Sequence, residues 1–119
     1  MERTMESAAA SSLMTHDDFK KLDIRIGTVL AAEKLPDTDK LLKLLFDVGG
    51  EQRQIIAGIA ASFPDPSVLV GKQLPVLMNI EPRELRGHTS QGMLLAVAVD
   101  GQPVLLHPER DVPPGSVVR

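Results

Sequence analysis

Short runs of alternating apolar and polar residues recur along this 119-residue chain, and turn signals separate one run from the next. Leu22, Ile24 and Ile26 alternate with polar residues, which is the period of a half-buried strand. Gly27 inside this first run predicts a bulge or a bend of the kind that curves small barrels. Repeated short strands restrict the chain to a small β-sandwich or a β-barrel.

The second run, at 41–48, tolerates a helix or a strand by its pattern alone. Gly49-Gly50 follows it and leads into a β-prone segment at 52–57, so a hairpin is favoured. Phe46 alternates with apolar neighbours in this run and is predicted to lie in the core.

The later runs extend the same pattern. Residues 72–80 are apolar but contain Pro75, which predicts an edge or bulge position because proline has no N–H for the ladder. Residues 92–99 are β-prone, and Asp100-Gly101 predicts a tight turn into a strand at 104–107. The sum is an all-β chain of five or six short strands with little helix.

Charge and cysteine content narrow the range of functions. The formal net charge is −3, but the excess acid lies in the first 18 residues, and residues 19–119 are neutral. A non-specific nucleic-acid binder is usually clearly basic, so any RNA binding here must depend on how a few cations are placed. The chain has no cysteine, which excludes disulfides, thiolate metal sites and cysteine nucleophiles.

The first residues differ in composition from the rest of the chain. Residues 1–15 predict a poorly ordered tail, and residues 16–119 predict one folded domain. We find no apolar run suited to a signal peptide or to a membrane span, so a cytoplasmic protein is expected.

Catalytic and metal-binding patterns are not found in the sequence. His16, His88 and His107 form no pair at metal-ligand spacing, and Asp37 and Asp39 lie in a turn. No glycine-rich phosphate loop and no nucleophile with a base can be assembled. We therefore predict a protein that is not an enzyme and that uses no metal or cofactor.

Aromatic residues are too few for recognition by serial base stacking. The only rings are three phenylalanines, and there is no Trp or Tyr. OB-type proteins that bind single strands stack successive bases on aromatic side chains. If this chain binds RNA, it should read folded shape, backbone and 2′-hydroxyls.

The densest polar chemistry lies at 79–93. Arg83 and Arg86 are three positions apart, and an arginine fork can hold a phosphate through two hydrogen bonds. Groups suited to a base edge, a ribose oxygen or a base face surround them: Asn79, Gln91, Ser90 and Met93. The alternative is an ordinary polar hairpin in which the arginines pair with Glu81 and Glu84.

Four motifs resemble, in order, those of the stand-alone tRNA-binding domain family. They are the opening strand Leu-Asp-Ile-Arg-Ile-Gly at 22–27, the Pro-Asp-Thr-Asp-Lys-Leu turn at 36–41, the strand ending at 55–59, and the block at 79–93. The family includes the C-terminal domain of bacterial methionyl-tRNA synthetases, its free-standing and beta-subunit-like relatives, endothelial monocyte-activating polypeptide-type domains, and a small bacterial secretion chaperone.

The resemblance implies an OB-fold, a five-stranded barrel with additional C-terminal strands, that often forms a homodimer. It implies non-catalytic binding at the outer corner of tRNA, either free-standing or beside methionyl-tRNA synthetase. Carried over position by position, the RNA-binding candidates are Lys40, Asn79, Arg83, Arg86, Ser90 and Met93. Gly87 and Gly92 are expected to shape the backbone.

Three positions depart from the family pattern. Leu35 stands where His is common, Ala57 replaces a usual Ser, and Glu84 lies where Lys is common. Each change is expected to weaken RNA binding or to shift its specificity. The alternative function is that of a dimeric chaperone-like module that binds proteins, as the acidic balance, Glu84 and the apolar segments at 68–70 and 104–106 indicate. For the homodimer itself, the strand near 101–106 is the candidate to pair across the interface.

Overall fold

The computed structural model describes residues 12–119, so most of the predicted tail at 1–15 lies outside the described residues. A short helix, α1 (His16–Phe19), precedes the first strand, and 3-10 helices lie at Ala60–Ser62 and Pro66–Leu69. The strands are, in chain order, β1 (Ile24–Lys34), β2 (Leu42–Asp47), β3 (Gln52–Ala57), β4 (Gln73–Leu77), β5 (Arg83–Leu85), β6 (His88–Ser90), β7 (Met93–Leu94), β8 (Ala96–Val99), β9 (Gln102–Leu105) and β10 (Val117–Val118).

The main sheet has the strand order β3-β2-β1-β4-β7, and every pairing in it is antiparallel. β3 packs back against β6 and β7, which nearly closes the sheet into a barrel. β5–β6 and β8–β9 are hairpins outside this path, and β10 pairs with the start of β1. The predicted all-β, OB-type barrel with added C-terminal strands and little helix is confirmed.

The core is built by alternation along β2. Leu42, Leu44 and Phe46 are fully buried, whereas the residues between them lie partly at the surface. Burial of each such side chain contributes about 1.5–3 kcal/mol relative to exposure. The prediction that Phe46 belongs to the core is confirmed, and the helical alternative for this segment is excluded.

The bulge or bend predicted at Gly27 is not found at that residue. The irregularity in β1 falls between Val29 and Ala31, where the register with β2 shifts. Gly27 itself pairs regularly, but a Cβ there would lie 2.8 Å from the Phe46 Cδ1. The glycine is needed because the Phe46 ring packs directly onto the backbone of β1.

Pro75 lies in an interior strand, so the predicted edge or bulge position is wrong. β4 runs between β1 and β7, with Pro75 opposite Ile26 in an unbroken register. The Ile26 N–H donates to Ser116 O at 2.9 Å, and the Ile26 carbonyl accepts from Gly115 N at 2.7 Å. Pro75 and Ile26 therefore form a non-hydrogen-bonded pair, and the missing proline N–H breaks no bond to β1.

The predicted turn at Asp100-Gly101 is confirmed. Both residues have positive φ, 50° and 78°, as the central residues of a type I′ hairpin turn do, and they join β8 to β9. Among the described residues, none of the helices could cross a membrane.

Candidate nucleic-acid interface

The block at 79–93 forms a hairpin that stands outside the barrel path. β5 and β6 pair through Arg83 with Ser90 and Leu85 with His88, and Arg86-Gly87 makes the turn. Arg86 has a φ of 53°, a left-handed conformation that costs a non-glycine residue roughly 1–2 kcal/mol. The turn leaves Arg86 exposed at the tip of the hairpin.

Two of the predicted RNA-binding residues meet at this tip. Arg86 and Lys40 line one open cleft, although they lie far apart in the sequence. The rest of the cleft comes from the turn at 36–39, including the carboxylates of Asp37 and Asp39. Two cationic and two anionic side chains therefore line the cleft. An anionic group, such as a phosphate, suits the part of the cleft that lies near both cations.

Neither Arg83 nor Arg86 forms an ion pair with a carboxylate in the described part of the chain. The ion pairs formed within residues 12–119 are Lys21–Asp18, Arg25–Asp23, Lys43–Glu33 and Arg53–Glu51. Glu84 instead accepts a hydrogen bond from the Thr89 hydroxyl across the hairpin. The alternative of a hairpin whose arginines pair with Glu81 and Glu84 does not describe this structure.

Ser90 is placed beneath the surface. It is 4% exposed, and its Oγ accepts from Ile56 N at 2.9 Å and donates to Gly92 O at 3.1 Å. The hydroxyl thus satisfies a buried N–H of β3. Its geometry suits attachment of β6 to the barrel, and contact with a ligand would require these bonds to open.

Asn79 has its amide engaged at both ends. The side-chain Nδ2 donates to Lys21 O at 2.6 Å, and Oδ1 accepts from Asp23 N at 2.8 Å. This residue ties the start of the block to the segment before β1. Asn79 is nevertheless exposed, so an outer face of the residue remains at the surface.

Met93 is 42% exposed at the start of β7, so part of this apolar residue lies at the surface. Gly92 before it has a φ of 150°, and a Cβ there would lie 2.9 Å from both Ile55 Cδ1 and Leu77 O. Only glycine fits between these neighbours without a shift. The expectation that Gly92 shapes the backbone agrees with this close approach.

A further arginine near the block is already paired. Arg25 binds Asp23 through Nε at 2.9 Å and Nη2 at 3.2 Å. The hydrogen bond that Arg25 donates to the Asp23 carboxylate, together with the negative charge of that carboxylate, raises the pKa of Arg25 above its ordinary value. Arg25 stays protonated, but the adjacent carboxylate of Asp23 balances its positive charge. Arg83 and Arg86 have no such partner within residues 12–119.

The sequence did not indicate the role of β3. Arg53, Gln54 and Ile56 all form hydrogen bonds with the block at 79–93 or its borders. Their partners lie 25 to 38 positions away in the chain. The only signal in the sequence was that the polar residues Arg53 and Gln54 begin a strand whose second half is apolar.

The fold and this hairpin define a class of protein, a small OB-type barrel with an external β-hairpin. That hairpin displays two arginines that have no ion pair among the residues the structure describes. The family model described as "Putative tRNA binding domain" matches residues 24–117. The chain belongs to this family.

Relatives of known sequence include the methionine–tRNA ligase of Archaeoglobus fulgidus, which is 52% identical over 102 residues. That match covers 86% of this chain but 15% of the ligase, so the chain spans a small part of this relative.

Solved structures show the same fold in proteins of similar size. A MetRS-related protein from Pyrococcus horikoshii superposes with a TM-score of 0.85 at 38% identity, covering 91% of this chain and 99% of that one. The chaperone CsaA from Bacillus anthracis gives a TM-score of 0.81 at 32% identity, covering 91% and 100%.

Proposed function

We propose that this protein binds folded tRNA without catalysing a reaction. The observation that carries the proposal is the external hairpin, where Arg86 at the tip lines one cleft with Lys40. Arg83, at the start of β5, is exposed and has no carboxylate partner among residues 12–119. Such cations can each take a backbone phosphate, and their fixed spacing selects a folded RNA over a flexible one.

The proposed contacts divide into two groups. Lys40, Arg83 and Arg86 bind phosphates, and Met93 offers an apolar face to one base. Asn79 and Ser90 hold the block in place through the hydrogen bonds already described, and Asn79 adds an exposed edge. This small set of groups suits the outer corner of tRNA, which presents backbone and few unpaired bases.

In the cell, the protein would act in the cytoplasm as an accessory to aminoacylation, free-standing or beside methionyl-tRNA synthetase. Tethering a tRNA-binding module to a synthetase raises the local concentration of tRNA at the active site. The similarity to a segment of a methionine–tRNA ligase and to a MetRS-related protein supports this role.

We also propose a homodimer, formed through the C-terminal hairpin. Val97, Val99 and Val104 are each between 42% and 49% exposed on β8 and β9. Beside them lies an open groove with an almost wholly apolar lining that includes Ile24, Pro75, Leu95, Leu106 and Val117. Contiguous apolar surface of this kind is typical of a protein interface.

The same groove favours a second candidate function. A chaperone-like module would use this apolar surface to hold unfolded polypeptide, and the fold is shared with the chaperone CsaA. In that case, binding would respond to denatured protein and not to tRNA.

Filter binding tests the first proposal, using bulk tRNA and an unstructured RNA of equal length at low salt. We expect tRNA to be retained more strongly. Equal and negligible retention of both RNAs would overturn the proposal.

A light-scattering assay tests the second candidate function, that of a chaperone-like module. We expect a chaperone-like module to suppress the aggregation of a denatured client protein, and no effect on the client would count against this function.

A further inference from the structure

The side chain of Arg53 on β3 reaches the backbone on both sides of residues 79–90, the part of the block that forms the hairpin. Its Nη1 donates to Met78 O at 3.2 Å and to Gln91 O at 3.0 Å. These two carbonyls lie immediately before and immediately after the segment that carries Asn79, Arg83 and Arg86. One guanidinium therefore holds together the two points where the segment leaves the barrel and returns to it.

Arg53 is itself held in a fixed orientation. Its Nε donates to the Glu51 carboxylate at 2.6 Å, and the side chain is 26% exposed. The planar guanidinium can serve a carboxylate on one edge and two carbonyls on another, whereas an ammonium group has no fixed fork. The position thus uses the geometry of arginine as well as its charge.

The next residues of β3 continue the attachment on one side of the hairpin. Gln54 and Gln91 form two hydrogen bonds with each other. The backbone N–H of Gln54 donates to the side-chain Oε1 of Gln91 at 3.0 Å, and the backbone N–H of Gln91 donates to the Gln54 carbonyl at 2.8 Å. The side-chain amide of Gln54 donates to the backbone carbonyl of Thr89 at 2.9 Å, and the backbone N–H of Ile56 donates to Ser90 Oγ.

The other strand of the hairpin is attached less directly. β5, which carries Arg83, pairs with β6 in a separate two-stranded sheet. The position of Arg83 and Arg86 therefore follows from the position of β6, which in turn depends on β3.

We propose that Arg53 is a positioning residue for the RNA interface. It sets where the block leaves and rejoins the barrel, and so aligns Arg83 and Arg86 with Lys40, without contacting RNA itself. The proposal deepens the proposed function and rests on it for its effect on RNA binding.

The first experiment is a double-mutant cycle on tRNA affinity. R53M is expected to weaken binding about tenfold in the otherwise unchanged protein. In a background that carries R83A and R86A, the same change should alter affinity less than twofold, because the groups that Arg53 aligns are gone. R53K should restore less than half of the loss on a logarithmic scale.

Lys43→Met is the matched control. Lys43 has a similar side-chain exposure, 31%, and pairs with Glu33 at 3.1 Å, so its loss removes one surface cation of a strand. We expect K43M to leave affinity within twofold. A tenfold loss from R53M in both backgrounds would overturn the proposal and make Arg53 a direct RNA contact.

The second experiment measures the free protein, so it does not depend on tRNA binding. Amide hydrogen exchange over 83–90 should be at least tenfold faster in R53M than in the original chain, with β2 amides unchanged. Unchanged exchange over 83–90 would overturn the positioning role. If R53M fails to fold, R53Q serves in both experiments, with the same expected directions and the same overturning results.

The two experiments separate the two proposals. If the original chain does not bind tRNA but R53M accelerates exchange, the proposed function fails and the positioning of the block stands. If the original chain binds tRNA and neither affinity nor exchange responds to R53M, the proposed function stands and the positioning role fails.

Discussion

At the scale of single residues, the proposed interface depends on whether each cation is free. Arg83 and Arg86 have no carboxylate partner within residues 12–119, whereas Arg25 and Arg53 do. A cation that is already paired gains less from a phosphate, because the phosphate must replace an existing contact. The unpaired arginines are therefore the ones expected to contribute affinity.

Arg83→Ala tests this expectation. Loss of one close phosphate contact should weaken tRNA binding by about 1–3 kcal/mol, measured by filter binding at fixed salt. Arg110→Ala is the control, since Arg110 is an exposed arginine outside the block. An equal effect of the two changes would show that overall charge, and not placement, governs binding.

Glu84 provides a change in the opposite direction. Its carboxylate lies on β5 between the two arginines in sequence and bonds the Thr89 hydroxyl. Glu84→Gln keeps an acceptor for that hydroxyl but removes a negative charge near the proposed phosphate sites. We expect tRNA affinity to rise several-fold at low salt, and a fall in affinity would contradict the proposed site.

At the scale of secondary-structure elements, the C-terminal segment is held on the barrel by a close backbone crossing. The turn at Gly115 lies against the turn after β2, and a Cβ on Gly115 would stand 2.5 Å from Val48 O and 3.0 Å from Gly49 Cα. The crossing positions β10 beside the start of β1. The turns at Gly49 and Gly115 are remote in sequence, and both need glycine because their backbones cross too closely for a side chain.

Gly115→Ala and Gly101→Ala form a matched pair. Both glycines have positive φ, 89° and 78°, but a Cβ on Gly101 would meet nothing within 4 Å. Each substitution carries the left-handed cost of roughly 1–2 kcal/mol. Only the change at Gly115 adds overpacking, typically about 1–3 kcal/mol.

Urea unfolding measures the free energy of unfolding of each variant. We expect this free energy to be lower for Gly115→Ala than for Gly101→Ala. Equal losses at the two positions would show that the crossing relaxes without cost.

At the scale of the whole molecule, the charge distribution sets how RNA binding depends on salt. Residues 19–119 are neutral overall, so a broad electrostatic field cannot supply the affinity. If Lys40, Arg83 and Arg86 each neutralise one phosphate, the logarithm of the binding constant should fall against the logarithm of salt with a slope of about −2 to −3. A slope near zero would exclude this binding mode.

The exposed apolar hairpin leads to a second prediction at this scale. Val104→Lys places a charge on β9 in the proposed dimer interface and should shift the protein toward a monomer of 12.9 kDa in sedimentation. Val68→Lys is the control, because Val68 is 52% exposed and lies in the 3-10 helix at Pro66–Leu69. A monomer for the original chain at micromolar concentration would contradict the dimer.

The sequence by itself determined the strands and several of their turns. The 52–57 segment is β3 at the predicted bounds, and Asp100-Gly101 makes the predicted turn. These features are local, because alternation encodes which face of a strand is buried and left-handed turns demand particular residues. The family motifs likewise marked 79–93 as the segment proposed here to carry the RNA interface.

Only the tertiary structure decided which polar groups of that segment are free. Ser90 has the same hydroxyl as any surface serine, but in this fold the residue is buried and its hydroxyl accepts a hydrogen bond from the Ile56 N–H. Arg86 and Lys40 line one cleft, and Arg53 reaches Met78 and Gln91, because the fold brings together segments that are remote in sequence. A hydrogen bond depends on where both partners lie in space, and residue order alone does not specify that.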